Sequence, residues 1–197
     1  VGDYVACAGL GVASHAEFVS VPQNLFVRLP NGEKLAEASL NALGAIALQG
    51  IRHVDTGYGS SIAVIGYGII GQLTAEIANA LGFSVSIFDV DEAKRETANE
   101  AKHGTFYSLS EANFALRKLQ NEIGLPGYDA AIICASTNND GPINMAGKIL
   151  RKNGKLVIVG DVGTKFNRDP DFYRKEIMIV TSCSYGPGRY DLSYEDL

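Results

Sequence analysis

The stretch Ser61–Asp89 limits what this chain can become more than any other. It opens with Ser61-Ile62-Ala63-Val64-Ile65, an apolar run of the kind found in strands buried on both faces of a parallel sheet. Gly66, Gly68 and Gly71 follow at the spacing Gly-x-Gly-x-x-Gly. Ile70, Leu73, Ile77 and Leu81 then recur at helical steps, and Gly82 stands where that helix should stop. Val85–Phe88 is a second short apolar run, closed by Asp89, 18 positions after Gly71. The pattern predicts a strand, a tight turn, a helix and a second strand that ends in an acid. Each glycine has a separate task in a phosphate-holding turn. Gly66 permits the tight bend, Gly68 lets a pyrophosphate approach the backbone, and Gly71 lets the helix pack closely on the sheet. The phosphates would meet the free N–H groups and the positive dipole end of the new helix, and Gly66, Tyr67, Gly68, Ile69, Ile70 and Gly71 are the expected cofactor-binding turn. The residues point to a dinucleotide site.

In a chain with 22 glycines the glycine spacing alone is a weak signal; the flanking strand, helix and acid make it specific. An acid about 20 residues beyond the turn accepts hydrogen bonds from the adenosine ribose hydroxyls and repels a 2′-phosphate. Val90 and Asp91 come next, with no arginine directly after Asp89, so NAD(H) is favoured over NADP(H). Asp91 also suits the cap of a helix beginning at Glu92.

Bulk properties exclude several classes. Net charge is −5, from 17 basic and 22 acidic residues, which argues against nucleic acid or an anionic membrane as the main partner. Arg151-Lys152 and Arg174-Lys175 are isolated pairs, expected to be solvated. No apolar run approaches the roughly 18 residues that span a bilayer. Three widely spaced cysteines, Cys7, Cys134 and Cys183, offer neither a disulfide framework nor a Cys-x-x-Cys pair, so a reducing, cytoplasmic setting is expected. The chain opens on Val1 with no leader peptide, and a piece of a longer protein is expected.

Strand and helix alternate from Ser61 onward. Strands are predicted at 61–65, 84–88, 105–108, 128–134, 155–159 and 176–182. The helices lie at 69–81, 91–102, 110–123 and 142–151, with Gly104 and Gly124 as stops and Ser110 as a cap. Such alternation specifies an α/β fold with a doubly wound parallel Rossmann sheet in the order 3-2-1-4-5-6. Its ligand would lie across the carboxyl ends of the strands, which adds Ala135, Ser136 and Thr137 after the fourth strand and Gly160, Asp161 and Val162 after the fifth. Before the sheet, Asp3–Cys7 and Ala16–Val21 are expected as short strands, and a long helix is expected from Glu33 to His53, with Leu35, Ala38, Ala42 and Ile46 on one face. The expected division is 1–32 as a small β unit, 33–184 as the dinucleotide-binding domain and 185–197 as a connector. Cys7 and His15 alone are too few for zinc, which usually takes three or four protein ligands.

This order of features resembles the medium-chain dehydrogenase/reductase family, the alcohol-dehydrogenase-like enzymes. The resemblance covers Gly2-Asp3-Tyr4-Val5, Ala16-Glu17-Phe18-Val19-Ser20-Val21-Pro22, Leu29-Pro30, Glu37-Ala38-Ser39, the glycine turn and Asp89. Lys94 matches a family lysine beside the ribose. The segment 43–52 and the tail Ser184–Asp191 look most like bacterial two-part oxidoreductases in which a sugar-dehydrogenase-like module follows. The resemblance implies that residues 1–32 are a remnant of a GroES-like catalytic lobe. It implies hydride transfer between NAD(H) and a small alcohol or carbonyl substrate, with a sugar or polyol as a candidate, and a homodimer formed through the apolar last strand. The family's catalytic zinc ligands and four-cysteine loop have no counterparts here. Zinc is thus possible in a full-length protein but has no site in this chain, and the catalytic residues are unknown. A non-catalytic NAD-sensing module remains an alternative, as does an adenosylmethionine-dependent methyltransferase, although those turns usually run Gly-x-Gly-x-Gly. A short-chain dehydrogenase is disfavoured, since no tyrosine has a lysine four residues later.

Overall fold

The computed structural model describes residues 2–32, 34–57, 59–191 and 193–194. Val1, the expected helix start at Glu33 and the connector's end at Glu195–Leu197 lie outside the described residues. The elements, in order, are β1 (Val5–Cys7), β2 (Phe26–Arg28), α1 (Leu35–Ala38), α2 (Asn41–Arg52), β3 (Ser61–Ile65), α3 (Ile69–Ala80), β4 (Ser84–Asp89), α4 (Lys94–Ala101), β5 (Thr105–Ser108), α5 (Ala112–Ile123), β6 (Tyr128–Ile133), α6 (Gly141–Ile149), β7 (Leu150–Ile158) and β8 (Met178–Thr181). Short 3-10 and irregular turns fill several of the connections.

Strands β3–β8 form one parallel sheet in the order β5-β4-β3-β6-β7-β8, the doubly wound order expected from the alternation. The order reverses between β3 and β6. All five residues of β3 are buried, as its unbroken apolar run requires. Alternate side chains enter opposite layers. Ile62 and Val64 meet α2, α3 and α4 through Ile51, Ala75 and Ala98. Ala63 and Ile65 share the other layer with Leu119 of α5 and Ile143 and Ile149 of α6.

At the amino ends of the strands a polar cluster ties three of them together. Asp129 of β6 accepts the Ser61 backbone N–H (2.8 Å) and hydroxyl (2.9 Å) at Oδ2, and the Arg151 Nε–H of β7 (2.6 Å) at Oδ1. Burial opposes the Asp129 charge, but the Ser61 and Arg151 bonds outweigh it and hold the carboxyl below its usual range. Arg151 is therefore an ion-paired residue rather than a solvated one. Lys175 is likewise engaged, its Nζ donating to the carbonyls of Gly147 and Lys148 at 2.8 Å.

Several local expectations are corrected. Ala16–Val21 forms no strand; β2 takes its place as the partner of β1. Phe18 is 91% exposed there, so its apolar pattern finds no layer to enter. The long helix breaks between α1 and α2, where the Ser39 hydroxyl bonds back to the Ala36 carbonyl at 2.6 Å. On α3 the buried residues are Gly71, Thr74, Ala75 and Ala78, rather than the row of larger apolar side chains. Close approach to the sheet admits only small residues, which leaves Leu81 exposed at the rim. Helix α4 ends on Lys102 in the left-handed region (φ 55°), not on Gly104. The cap before α5 is Ser108, in a reciprocal box with Glu111; Ser110 only shares a hydroxyl contact with it. Strand β7 begins at Leu150, five residues early, because Leu150 pairs with Tyr128 across a bulge before the regular register resumes at Lys155.

Candidate functional site

The carboxyl ends of β3, β4, β5 and β6 open onto a cleft of about 320 Å³. Its floor is the turn from β3 into α3. Gly66 has φ +97°, and a Cβ there would stand 2.6 Å from the Ala135 backbone nitrogen. Its N–H donates to the Phe88 carbonyl at 2.7 Å. Gly71 lies so close to the Gly66 carbonyl oxygen that no side chain fits. The protein's own packing thus requires both glycines. Gly68 differs: a Cβ there would meet nothing within 4 Å. Its bare Cα borders open space at the N-cap of α3. The first N–H to bond back across this end is that of Gln72, to the Gly68 carbonyl at 2.9 Å. Helix geometry leaves the N–H groups of Ile69, Ile70 and Gly71 without acceptors in the helix.

Asp89 is 5% exposed at the end of β4. Oδ2 accepts the Tyr67 N–H (2.5 Å) and a Lys94 ammonium proton (3.0 Å), and Oδ1 accepts the Asp91 N–H (2.9 Å). Burial works against its charge. The Asp91 and Tyr67 amides, then Lys94, more than compensate, so the carboxyl stays below its usual range and ionised at neutral pH. Asp91 accepts the Ala93 N–H at 3.1 Å, capping the turn that leads into α4. Arg95 is turned away: Glu111 holds it at 2.7 Å, the Phe106 carbonyl at 3.2 Å, and its guanidinium covers the Phe106 ring.

The cleft brings together Gly66, Asp89, Val90, Ala135, Ser136 and Thr137. Lys94 reaches it through its ion pair with Asp89. Ile69 is half exposed at the mouth of the turn. Tyr67 points the other way, its ring fully buried in the α3–α4 layer. Gly160 is not in the cleft lining. It packs against the Ala135 carbonyl with no room for a Cβ and donates its N–H to Ile133 at 2.9 Å. Asp161 accepts the Thr137 N–H through its backbone carbonyl at 2.8 Å. Leu109, Asn139, Gly141 and Pro142 also line the cleft and escaped the sequence reading. Leu109 directly follows β5, so the strand-end rule that selected Ala135 would have found it.

A second cleft, of about 290 Å³, lies between the β1–β2 pair, α2 and the loop after β8. Cys7, Asn24, Asn41 and Tyr185 are its polar or reactive members, among alanine, leucine, phenylalanine and valine side chains. Among the described residues no three His, Cys, Asp or Glu side chains gather as metal ligands would. No helix among them is long and apolar enough to cross a membrane.

Comparison with known proteins places this geometry. Sorbitol dehydrogenase of Halalkalibacterium halodurans is 27% identical over 201 residues, covering 96% of this chain and 57% of the relative. NADP-dependent alcohol dehydrogenase C 1 of Mycolicibacterium smegmatis is 29% identical over 115 residues, covering 56% of this chain and 33% of the relative. The crystal structure of 2R,3R-butanediol dehydrogenase from Bacillus subtilis superposes with a TM-score of 0.71 at 24% identity, over 85% of this chain and 48% of that one. The chain spans about half the length of the curated relatives it matches. A model of the family described as zinc-binding dehydrogenase matches residues 70–195, well over half of the sequence, and this chain belongs to that family.

Proposed function

We propose that this chain is the cofactor-binding part of an NAD(H)-dependent oxidoreductase of the alcohol dehydrogenase type. Its substrate class would be an alcohol or carbonyl, with a sugar or polyol favoured by the sorbitol dehydrogenase relative. The observation that carries the reading is the contrast within the glycine turn. Internal packing demands Gly66 and Gly71, whereas a Cβ at Gly68 would meet nothing within 4 Å, which leaves open space at the start of α3 where a phosphate could approach the backbone. The residues suit a dinucleotide. The N–H groups at the start of α3 would receive the pyrophosphate, Asp89 the ribose hydroxyls, and Val90, Leu109 and Pro142 the adenine face. Lys94 would stay beside the ribose, and Ala135, Ser136 and Gly160 would border the path toward the nicotinamide.

NAD(H) is favoured over NADP(H) because Asp89 is ionised where a 2′-phosphate would lie. The cation following Lys94, Arg95, is already committed to Glu111. The nicotinamide supplies the hydride chemistry when bound. This chain's residues hold and orient it and close one side of its cleft. Since no three His, Cys, Asp or Glu side chains gather among the described residues, a zinc ion would need at least some of its ligands from elsewhere. We divide the chain functionally into 1–32, a remnant of the catalytic lobe, 33–184, the cofactor domain, and 185–197, a connector. We place it in the cytoplasm, where its free cysteines suit a reducing medium. A homodimer through the edge strand β8 is part of the proposal, since Met178 (52%) and Ile179 (38%) are exposed there.

Calorimetric titration with NADH, NADPH and adenosylmethionine tests the reading. NADH should bind most tightly, and Asp89→Asn should weaken it by about tenfold, the order expected for loss of a charge-assisted hydrogen bond. A preference for NADPH would overturn the reading of Asp89; binding of adenosylmethionine alone would overturn the dinucleotide reading itself.

A further inference from the structure

Tyr67 occupies an unusual place in the glycine turn. It stands between Gly66 and Gly68, neither of which has a side chain to anchor the turn. Its backbone N–H donates to Asp89, so one residue touches both the phosphate-facing turn and the ribose-facing acid. Its side chain runs to the opposite side, into the layer shared by α3 and α4, with no exposed surface. There the ring meets Phe106 edge-on at 6.4 Å. The hydroxyl lies 3.2 Å from Nδ1 of His103, two residues past the end of α4. Nε2 of the same imidazole faces the Glu76 carboxylate of α3 at 4.0 Å. Burial, and after it Glu76, push the phenol above its usual pKa, so the hydroxyl keeps its proton and is available as a donor. With the imidazole proton on Nε2, the phenol donates to Nδ1 and the ring N–H turns to Glu76.

We infer that Tyr67 and His103 form a positioning pair for the cofactor site. The anchored hydroxyl fixes the glycine turn and, through the Tyr67 amide, the Asp89 carboxylate in the arrangement that pyrophosphate and ribose meet. The inference rests on the dinucleotide reading above. Neither side chain lines the cleft, so neither touches cofactor; both act by preorganising the backbone that does. A phenylalanine at position 67 would fill the same space and remove the hydroxyl anchor, leaving the turn held by its backbone bonds alone. The ordering that the tether supplies before binding would then have to be met during binding.

The test compares Tyr67→Phe, His103→Ala, His103→Asn and the double variant Tyr67→Phe/His103→Ala in the 197-residue chain. NADH affinity is measured by calorimetry and thermal unfolding in parallel. Tyr67→Phe and His103→Ala should each raise the NADH Kd roughly fivefold, the fold-change of one net hydrogen bond. The double variant should be no worse than either single change, because both break the same bond. His103→Asn, whose amide oxygen stands where Nδ1 stood and can accept from the hydroxyl, should restore affinity to within about twofold. Variants that lose thermal stability but bind NADH like the wild type would overturn the inference and reduce Tyr67 to core packing, with the cofactor reading intact. A wild-type chain that takes up no NADH would bring down the cofactor reading and this inference together.

Discussion

The β1–β2 pair and the six-stranded sheet are built from similar residues and have opposite fates. Val64 of β3 and Ile132 of β6 have no exposed surface, while Val5 of β1 and Val27 of β2 are 42% and 54% exposed. Leu10 and Phe18, in the loop between β1 and β2, are each 91% exposed. The difference is not hydrophobicity but the availability of layers. A central parallel strand flanked by helices on both faces, such as β3, buries every residue it carries. Two antiparallel strands of three residues have no second layer to cover them. Apolar content therefore foretells burial only where the topology supplies two covering surfaces.

The comparison breaks most directly by truncation. Ile132→Ala should cost about 3–4 kcal/mol, since a central strand cannot collapse around the cavity, whereas Val27→Ala should stay within about 0.5 kcal/mol. Urea unfolding measures both, and equal losses would mean that β2 is as well covered as the sheet. The glycine turn offers a second contrast. Gly71→Ala should cost about 2–3 kcal/mol because its Cβ would strike the Gly66 carbonyl. Gly68→Ala should cost less than about 1 kcal/mol yet lower NADH affinity. A Gly68→Ala chain that binds NADH like the wild type would remove the main support for the phosphate site.

A smaller effect is expected with pH. Asp89 and Asp129 are both held below their usual range in the fold. A depressed folded-state pKa means that the stability they contribute is fully present above the unfolded value of about 4 and is lost as pH falls through the folded value. Urea midpoints should therefore be flat from neutrality to about pH 5 and drop below about pH 4. Asp129→Asn should be less stable at neutral pH and show a shallower drop; an unchanged acid slope would count against the Ser61–Asp129–Arg151 cluster as its source. Smallest of all, an aromatic disulfide should label exposed Cys183 quickly. Cys134, whose thiol burial pushes up to about 11, should wait for unfolding.

How far the sequence spoke depended on the kind of information each residue carries. Strand order and the positions of Gly66, Gly71 and Asp89 were legible because their signals are local: a period, a spacing, a stop. The buried face of α3 was misread because pattern counting rewards large side chains. The real constraint, closeness to the sheet, selects Ala75 and Ala78 instead. Ala16–Val21 looked like a strand because strand propensity says nothing about whether a partner exists. Tyr67–His103 and Asp129–Arg151 were illegible because they join residues 36 and 22 positions apart by side chains alone. In the cleft, Leu109 was within reach of the strand-end rule, while Asn139 and Pro142 depend on how the loop before α6 turns.

The Asp129 cluster has a consequence at the far end of the sheet. Parallel strands that share one fastening at their amino termini are cut to a common datum, and their carboxyl ends stand at heights measured from it. A slip of one residue between β3 and β6 would displace Gly66 relative to Ala135 by about 3.3 Å and send every side chain of the strand to the wrong layer. Ser61, Asp129 and Arg151 thus gauge the alignment of a cleft that none of them touches. A lesion at that edge should be felt first as a misfit among loops on the opposite rim.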